Sequence, residues 1–437
     1  MARRLKNNYC AKHVKFLNEI IESDSFINKY KKRKKYFVRN RILNFKIVML
    51  FLMNLLKTSL QNELDNFFKT IHNTDLPQKK VSNSALCQAR TKIKHEAFVE
   101  LNKKQVDYFY SKAKYKQFRG FRLIAIDGST VVLPRNTKTI EEFGEYSHSP
   151  NNRPVVLARI SHTFDVLNHI SIDSCISPLK TGEHDLARQH MEQLCKGDLC
   201  LLDRGYPAFW LFKLILQKGV DFCARVNTSS WTAARELVQS GGKEKIIEIY
   251  ASHKSISKCN KMGLSTAPIR CRFISIELDS GEKEVLITSL IDDAVYPYNL
   301  FKELYHQRWP VEEFYKLMKH RIELENFTGK SPEVIKQDYY ARVFMANLSA
   351  ILASPVHEII DKKYQKRKYR YQINWTQAMG KMKHSAILLF IRDNIIELIK
   401  RLQQLFINNV IPIRPDRKYP RNHKPKRHFY MAYKPIS

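Results

Sequence analysis

Four residues around position 310 combine types and spacing that suit phosphate chemistry: Tyr305, Arg308, Glu312 and Lys319. On a continuous helix, steps of three, four and seven residues would place all four side chains within one narrow sector. That face would present a hydroxyl, a guanidinium, a carboxylate and an ammonium group. Pro310 either kinks this helix or begins it, and in the second case Glu312 lies in the first turn, where the helix dipole favours a charged carboxylate. A solvated polar face is the structural alternative.

Two aspartates follow short apolar segments that are typical of buried strands. The segment 121–126 leads into Asp127-Gly128, which predicts a strand followed by a turn, and the segment 199–202 leads into Asp203. In α/β sheets, functional groups collect at strand ends because the adjoining loops hold them at fixed positions. An isolated Asp-Gly pair is more often only a turn, so this motif alone is a weak signal.

The elements that would position these residues change along the chain. The pattern is helical to about Gln117, and a small helical DNA-binding domain and plain helical packing explain it equally well. Residues 118–226 then follow the order three strands, helix, strand, helix, strand, which predicts a mixed α/β sheet. Residues 227–295 are rich in strand patterns and include a hairpin around Asp279-Ser280-Gly281. Helical patterns return from Tyr298 onward.

The charge balance indicates a polyanionic partner. Lys and Arg total 75 against 42 Asp and Glu, a net charge of +33. Such an excess of positive charge repels itself unless a polyanion neutralises it. Nucleic acid is the expected polyanion, because contacts of Lys and Arg with its phosphates supply most of the non-specific affinity. The basic residues form three blocks, 29–41, 362–370 and 414–434, and the last is predicted to be extended and solvated until it meets DNA.

The cysteines and the apolar segments indicate a protein of a reducing cytoplasm. Eight cysteines show no Cys-x-x-Cys pair and no zinc spacing, which suits a reducing compartment. The apolar run 47–53 is too short to cross a bilayer, and no signal-peptide pattern precedes it. No membrane role is therefore expected.

Taken together, the four spaced residues and the two acidic motifs resemble a known family. Tyr-x2-Arg-x3-Glu-x6-Lys is similar to the signature of bacterial insertion-sequence DDE transposases of the insertion-sequence-four family, in the subgroup with a β-rich insertion before the catalytic glutamate. Residues 126–130 resemble the family's first acidic motif, and residues 202–206 resemble the second. The similarity extends from about Ser82 to Leu352. The family's fold is ribonuclease-H-like, which agrees with the strand order read from the sequence.

This resemblance implies metal-dependent cleavage and joining of DNA. Asp127, Asp203 and Glu312 would hold two Mg²⁺ ions about 3.5–4 Å apart, with Mn²⁺ as a substitute. Asp127 would bridge the two ions, while Asp203 and Glu312 would each complete one site. Carboxylates suit this role because hard divalent ions prefer oxygen ligands.

The same resemblance implies contacts to DNA. Arg308 and Lys319 would hold phosphates that flank the cut, and Tyr305 would hydrogen-bond a phosphate near the transferred end. Trp231 would stack on a flipped base if excision passes through a hairpin, although tryptophan more often packs in a core. The implied partners are double-stranded terminal inverted repeats and target DNA, bound by a homodimer.

Five regions and three functions follow as expectations. The regions are a helical N-terminal DNA-binding region (1–117), the first part of a ribonuclease-H-like α/β core (118–226), a β-rich insertion (227–295), the second part of the core (296–352), and a basic helical C-terminal region with its tail (353–437). The primary expectation is an insertion-sequence transposase. A catalytically silent DNA-binding repressor and a nuclease of the same fold remain the alternatives.

Overall fold

A computed structural model describes residues 2–147, 154–278 and 281–414. The predicted basic tail beyond Arg414, and Asp279 and Ser280 of the predicted hairpin turn, lie outside these residues. The helices are α1 (Ala2–Glu22), α2 (Asp24–Tyr30), α3 (Phe45–Met53), α4 (Leu60–His72), α5 (Asn83–Arg90), α6 (Glu96–Lys112), α7 (Thr137–Phe143), α8 (Glu183–His190), α9 (Phe209–Gln217), α10 (Thr232–Gln239), α11 (His253–Lys261), α12 (Leu300–His306), α13 (Pro310–Lys316), α14 (Pro332–Ala353), α15 (His357–Tyr364), α16 (Trp375–Met382), α17 (Ser385–Leu388) and α18 (Ile395–Asn408). The strands are β1 (Arg122–Leu133), β2 (Glu145–Tyr146), β3 (Val155–Asp165), β4 (Ile170–Pro178), β5 (Asp198–Leu202), β6 (Asp221–Val226), β7 (Glu244–Ile249), β8 (Ile269–Glu277), β9 (Lys283–Thr288), β10 (Tyr371–Ile373) and β11 (Val410–Pro412).

The chain divides into two compact units. The first unit comprises Met1–Tyr115, Val131–Leu157 and Lys316–Ser437, and the second comprises Lys116–Thr130 and Ala158–Tyr315. The five-region division drawn from the sequence remains a prediction.

The first unit is helical and is built around α14. The Ser331 side chain accepts a hydrogen bond from the Val334 N–H, and Pro332 occupies the first turn, so the helix begins with a cap and a residue whose φ is already helical. Nearly every residue of α14 is buried, and the helix packs against α3, α6, α16 and α18. The helical stretch Pro332–Tyr364 is long and apolar enough to cross a membrane, but 72% of its most apolar window is buried inside the protein, as expected of a core helix.

The second unit contains the greater part of a mixed sheet. Its strands β3, β1, β5, β6, β9, β8 and β7 are neighbours in that order, and β4 pairs with β3. β1, β5 and β6 are parallel, and β4 is antiparallel to β3. The mixed α/β sheet predicted for residues 118–226 is confirmed, although α7 and the short strand β2 were not predicted.

Three strands from residues 227–295 continue this sheet. β9 pairs antiparallel with β6, placing Cys223 opposite Thr288, and β8 and β7 follow by further antiparallel pairing. Helices α10 and α11 lie between these strands in the chain. Residues 227–295, predicted to form a β-rich insertion, therefore contribute three strands to this sheet.

One local expectation changes in the structure, and one open alternative is decided. β1 does not end in a turn at Asp127-Gly128 but continues to Leu133, because the following Ser-Thr-Val-Val sequence is rich in β-branched residues that favour a strand. The residues around position 310 do not form one continuous helix. α12 ends at His306 and α13 begins at Pro310, so the proline begins a helix instead of kinking one.

Candidate active site

The two aspartates occupy equivalent positions on neighbouring parallel strands. β1 and β5 pair in a register that places Ile126 opposite Leu202, and Asp127 and Asp203 are the next residues of the chain. Ile126 and Leu202 are fully buried, as are the residues that lead up to them. The parallel register therefore brings both carboxylates to the same level at the end of a buried part of the sheet.

Glu312 joins this site from the first turn of α13. Because Pro310 begins the helix, Glu312 lies where the positive end of the helix dipole favours a carboxylate. The Arg308 Nη2 atom donates to the Glu312 Oε1 atom at 2.5 Å. The neighbouring Glu313 is exposed, in agreement with the direction expected from helix geometry.

One buried guanidinium interacts with all three carboxylates. Arg308 is only 5% exposed, pairs with Glu312, and acts electrostatically on both Asp127 and Asp203. Its Nε–H group is buried and has no hydrogen-bond partner among the residues that the structure describes. Arg308 is therefore the positive charge that all three carboxylates share, and its Nε–H donor is not used within the described residues.

The carboxylates repel one another in spite of this arginine. The pKa of Asp127 is raised to about 6, first by burial and then by the charges of Glu312 and Asp203. The Gly128 N–H and Arg308 act in the opposite direction but do not cancel this rise. A divalent cation would relieve the repulsion, and three carboxylates offer only the oxygen atoms that Mg²⁺ prefers, so the donor set fits such an ion.

Arg225 belongs to the site but was not anticipated from the sequence. Its Nη2 atom lies 3.0 Å from the Asp203 Oδ1 atom, and its Nη1 atom pairs with Glu284 of β9. β6 pairs with β5 so that Ala224 lies opposite Leu202, which places Arg225 level with Asp203. The pKa of Asp203 lies below its usual value: burial would raise it, but the Arg204 N–H, Arg308 and Arg225 outweigh that effect. A lone arginine within the apolar segment 220–226 was the available signal.

The backbone of Asp127 is held by two hydroxyl groups. The Tyr315 hydroxyl donates to the Asp127 carbonyl oxygen at 2.7 Å, and the Ser161 hydroxyl donates to the same oxygen at 3.1 Å. Ser161 in turn lies 3.0 Å from the His190 Nε2 atom, and His190 Nδ1 lies 2.7 Å from Asp173. Tyr315 lies on α13, three residues after Glu312, so one hydrogen bond links the helix that carries Glu312 to the strand that carries Asp127.

The remaining predicted site residues have different surroundings. Tyr305 is buried, and its hydroxyl lies 3.4 Å from the Leu202 carbonyl and 3.5 Å from the Asp203 carboxylate. Trp231 is half-buried and packs near Phe212 and Phe273, each with ring centroids 6.2 Å away. Lys319 is half-buried in a π-helical turn, Leu317–Arg321, that belongs to the first unit. The phosphate and base contacts expected of these three residues stay predictions.

A second group of possible metal ligands lies in the first unit. His95 Nδ1 is 3.1 Å from Glu333 and 3.4 Å from Glu96. Glu333 already accepts the His95 backbone N–H at 2.7 Å and lies 3.7 Å from Lys32. These contacts satisfy the cluster without a metal ion, so we assign none to it.

Comparisons with known proteins identify the family of this chain. The family model described as the transposase DDE domain matches residues 119–348, more than half of the chain. The transposase InsG for insertion sequence element IS4, from Escherichia coli (strain K12), is 21% identical over 345 residues, which cover 78% of this chain and 76% of InsG. The piggyBac transposase in a synaptic complex with hairpin DNA has 10% identity and a TM-score of 0.44, over 90% of this chain and 85% of that chain. The matched segment 119–348 contains Asp127, Asp203 and Glu312, and the chain belongs to the family of transposases with a DDE domain.

Proposed function

We propose that this protein is the transposase of an insertion sequence, which cuts DNA at the ends of its element and joins the 3′-hydroxyls to target DNA. One observation carries the proposal. Three carboxylates from three separate elements, Asp127, Asp203 and Glu312, interact electrostatically with the buried guanidinium of Arg308, and Asp203 and Glu312 also act on Asp127. Burying like charges together costs free energy, so such a cluster is typical of a functional site more than of a structural one.

Asp127, Asp203 and Glu312 are proposed to hold Mg²⁺, with Mn²⁺ as a substitute. The chemistry that divalent ions supply in such a site is activation of the attacking oxygen and stabilisation of the leaving oxygen. The protein contributes the placement of the ligands. Tyr315 and Ser161 fix the backbone of Asp127, and Arg308 and Arg225 hold the Glu312 and Asp203 carboxylates in place by ion pairs.

Arg308 and Lys319 are proposed to hold phosphates that flank the cut. The Nε–H of Arg308 supports this role, because it is buried without a partner in the described part of the chain and could donate to a phosphate oxygen. Tyr305 is proposed to act near the transferred end, and Trp231 to stack on a flipped base if a hairpin forms. For Trp231, packing beside Phe212 and Phe273 is the competing role.

The partners are proposed to be the element's terminal inverted repeats and target DNA, in a bacterial cytoplasm. A net charge of +33 supports binding to the phosphate backbone of both. Two ends must be cut and joined together, so we propose a homodimer assembled on DNA, in which each copy serves one end.

The test uses purified full-length protein, Mg²⁺ and a labelled duplex taken from the DNA that flanks the gene. We expect strand cleavage by the wild type, loss of cleavage by Asp203→Ala, and unchanged DNA binding by that variant. Asp293→Ala, which removes an exposed aspartate of the same unit, is the matched control and should cleave normally.

The outcomes separate the alternative functions. Binding without cleavage by either protein would favour the repressor, because a silent protein retains its affinity but not its chemistry. Cleavage without any joined product would favour a nuclease of the same fold. Cleavage that survives Asp203→Ala would contradict the proposed site.

A further inference from the structure

Helix α5 presents an uncharged polar face to solvent. The Ser82 side chain accepts the Ala85 N–H and so caps the helix, while Leu86, Ala89 and Arg90 are buried. The opposite side carries exposed side chains at steps of one and four residues: Asn83, Ser84, Cys87, Gln88 and Thr91 at the C-cap. None of these side chains is charged, and none is large. A helix of eight residues is about 12 Å long, close to the width of about 12 Å of the major groove of B-form DNA.

A strongly basic loop lies beside this helix. Residues 31–41 contain seven Lys and Arg side chains and no acid. Six of these are exposed: Lys32, Arg33, Lys34, Lys35, Arg39 and Arg41. We call residues 31–41 the basic loop. A block of like charges that the fold leaves in solvent is destabilising by itself, and a polyanion would remove that cost.

The basic loop and the end of α5 form one surface. The Lys32 N–H donates to the Lys92 carbonyl at 2.8 Å, and the Lys94 N–H donates to the Tyr30 carbonyl at 2.9 Å. The Lys92 ammonium also lies 5.6 Å from the ring centroid of Tyr36, within the loop. The chain around α5 has no acid from Lys79 to His95. These backbone hydrogen bonds fix the basic loop next to the uncharged face of α5.

Acidic side chains mark the border of this surface. Lys29 pairs with Glu100 at 2.5 Å, and Lys32 lies 3.7 Å from Glu333. These ion pairs engage the lysines at the edge, whereas among the described residues Arg33, Lys34 and Lys35 form no ion pair. Repulsion between phosphates and carboxylates would therefore confine a bound polyanion to the loop and α5.

We infer that this surface binds duplex DNA, with α5 in the major groove and the basic loop on the phosphates of the same site. The division of charge supports this arrangement, because phosphate contacts supply affinity and uncharged polar groups distinguish base edges. Asn83 and Gln88 carry the amide groups that can pair with adenine N6 and N7. The inference rests on the proposed function, since the site to be read would be the end of the element.

The experiment measures binding in EDTA, where no cleavage can occur. The probes are a duplex from the DNA that flanks the gene and a shuffled duplex of the same composition. Arg33→Ala/Lys34→Ala/Lys35→Ala should weaken binding to both duplexes alike, and the slope of log K against log salt should fall by about 0.9 for each phosphate that the variant no longer neutralises. The matched control is Lys400→Ala, an exposed lysine on α18 of the same unit.

The α5 variants should affect only the preference between the two duplexes. We expect Asn83→Ala and Gln88→Ala each to reduce the preference for the flank duplex by about 5- to 150-fold, with the salt slope unchanged. Gln404→Ala, an exposed helical glutamine on α18, should leave the preference intact. Thermal melting followed by circular dichroism should match the wild type in every variant, because the replaced side chains are exposed.

Two results would overturn the inference. One is a triple loop variant that keeps the affinity and the salt slope of the wild type. The other is a preference for the flank duplex that is absent from the wild type or survives both α5 substitutions. Cleavage is assayed separately in Mg²⁺. A wild type that prefers the flank duplex but never cuts it would contradict the proposed function while supporting this surface.

Discussion

The buried ion pair between Arg90 and Asp338 offers a sharp test of how the first unit is held together. Both side chains are 2% exposed, and the Arg90 Nη2 atom lies 2.8 Å from the Asp338 Oδ1 atom. The same guanidinium donates to Gln337 at 3.0 Å and to Thr328 at 2.5 Å. Arg90 is the last residue of α5, so this network fastens that helix to the first turns of α14.

Arg90→Met removes the charge but keeps an unbranched apolar chain. Asp338 would then remain buried with its bonds from the Thr328 N–H and hydroxyl, and with Arg342 nearby. Burial would raise the pKa of Asp338, but Arg90, Arg342 and the Thr328 N–H hold it below its usual value in the wild type. Breaking a buried pair in this way typically costs about 3–5 kcal/mol. Because Arg342 and Thr328 remain, we expect the lower end, a loss of about 3 kcal/mol of unfolding free energy.

Urea unfolding followed by circular dichroism measures this loss, and a double-mutant cycle isolates the pair. Asp338→Asn alone should also destabilise the protein, and the double variant should lose clearly less than the sum of the two single variants. The control is Arg401→Met, which breaks an exposed pair with Glu397 on α18 and should cost about 0–1 kcal/mol. A loss below about 1 kcal/mol for Arg90→Met, or strict additivity in the cycle, would refute this reasoning.

Two further predictions concern the active site and the pH dependence of stability. Tyr315→Phe removes the hydroxyl that donates to the Asp127 carbonyl but keeps the aromatic ring. Since one such hydrogen bond is worth about 1 kcal/mol, single-turnover cleavage should slow about fivefold without loss of DNA affinity. An unchanged cleavage rate would exclude a positioning role for Tyr315. Burial lowers the pKa of both His13 and His162 to about 3. Below pH 6.5, the usual pKa of histidine, the unfolded chain therefore binds more protons than the folded protein. Each of the two histidines should lower the unfolding free energy by about 2 kcal/mol at pH 5 relative to pH 7. Urea unfolding at the two pH values measures this effect, and a stability that does not fall towards pH 5 would contradict it.

Local patterns in the sequence predicted most of the catalytic sheet. Short apolar runs bounded by turn residues indicated the strands around Asp127 and Asp203, because a buried strand needs an unbroken apolar sequence. Pro310 left two alternatives, and the structure selects the helix start, which places Glu312 in a first turn.

Features that depend on pairing between distant segments could not be read in this way. The contact of Arg225 with Asp203 follows from the register of β6 on β5, and the addition of the insertion to the sheet follows from the pairing of β9 with β6. Neither strand register can be predicted from the local sequence. The turn at Asp127-Gly128 was predicted from the preference of the Asp-Gly pair for turns, but the strand-forming residues after Gly128 extend β1 to Leu133.

The most direct test of the central claim compares two adjacent glutamates. Glu312 pairs with Arg308 in the carboxylate cluster, whereas Glu313 is exposed on the same helical turn. Mg²⁺-dependent cleavage of the flank duplex should be abolished by Glu312→Gln and retained by Glu313→Gln, with both variants binding DNA as the wild type does. Equal cleavage by the two variants would contradict the assignment of Glu312 and, with it, the metal site proposed for this protein.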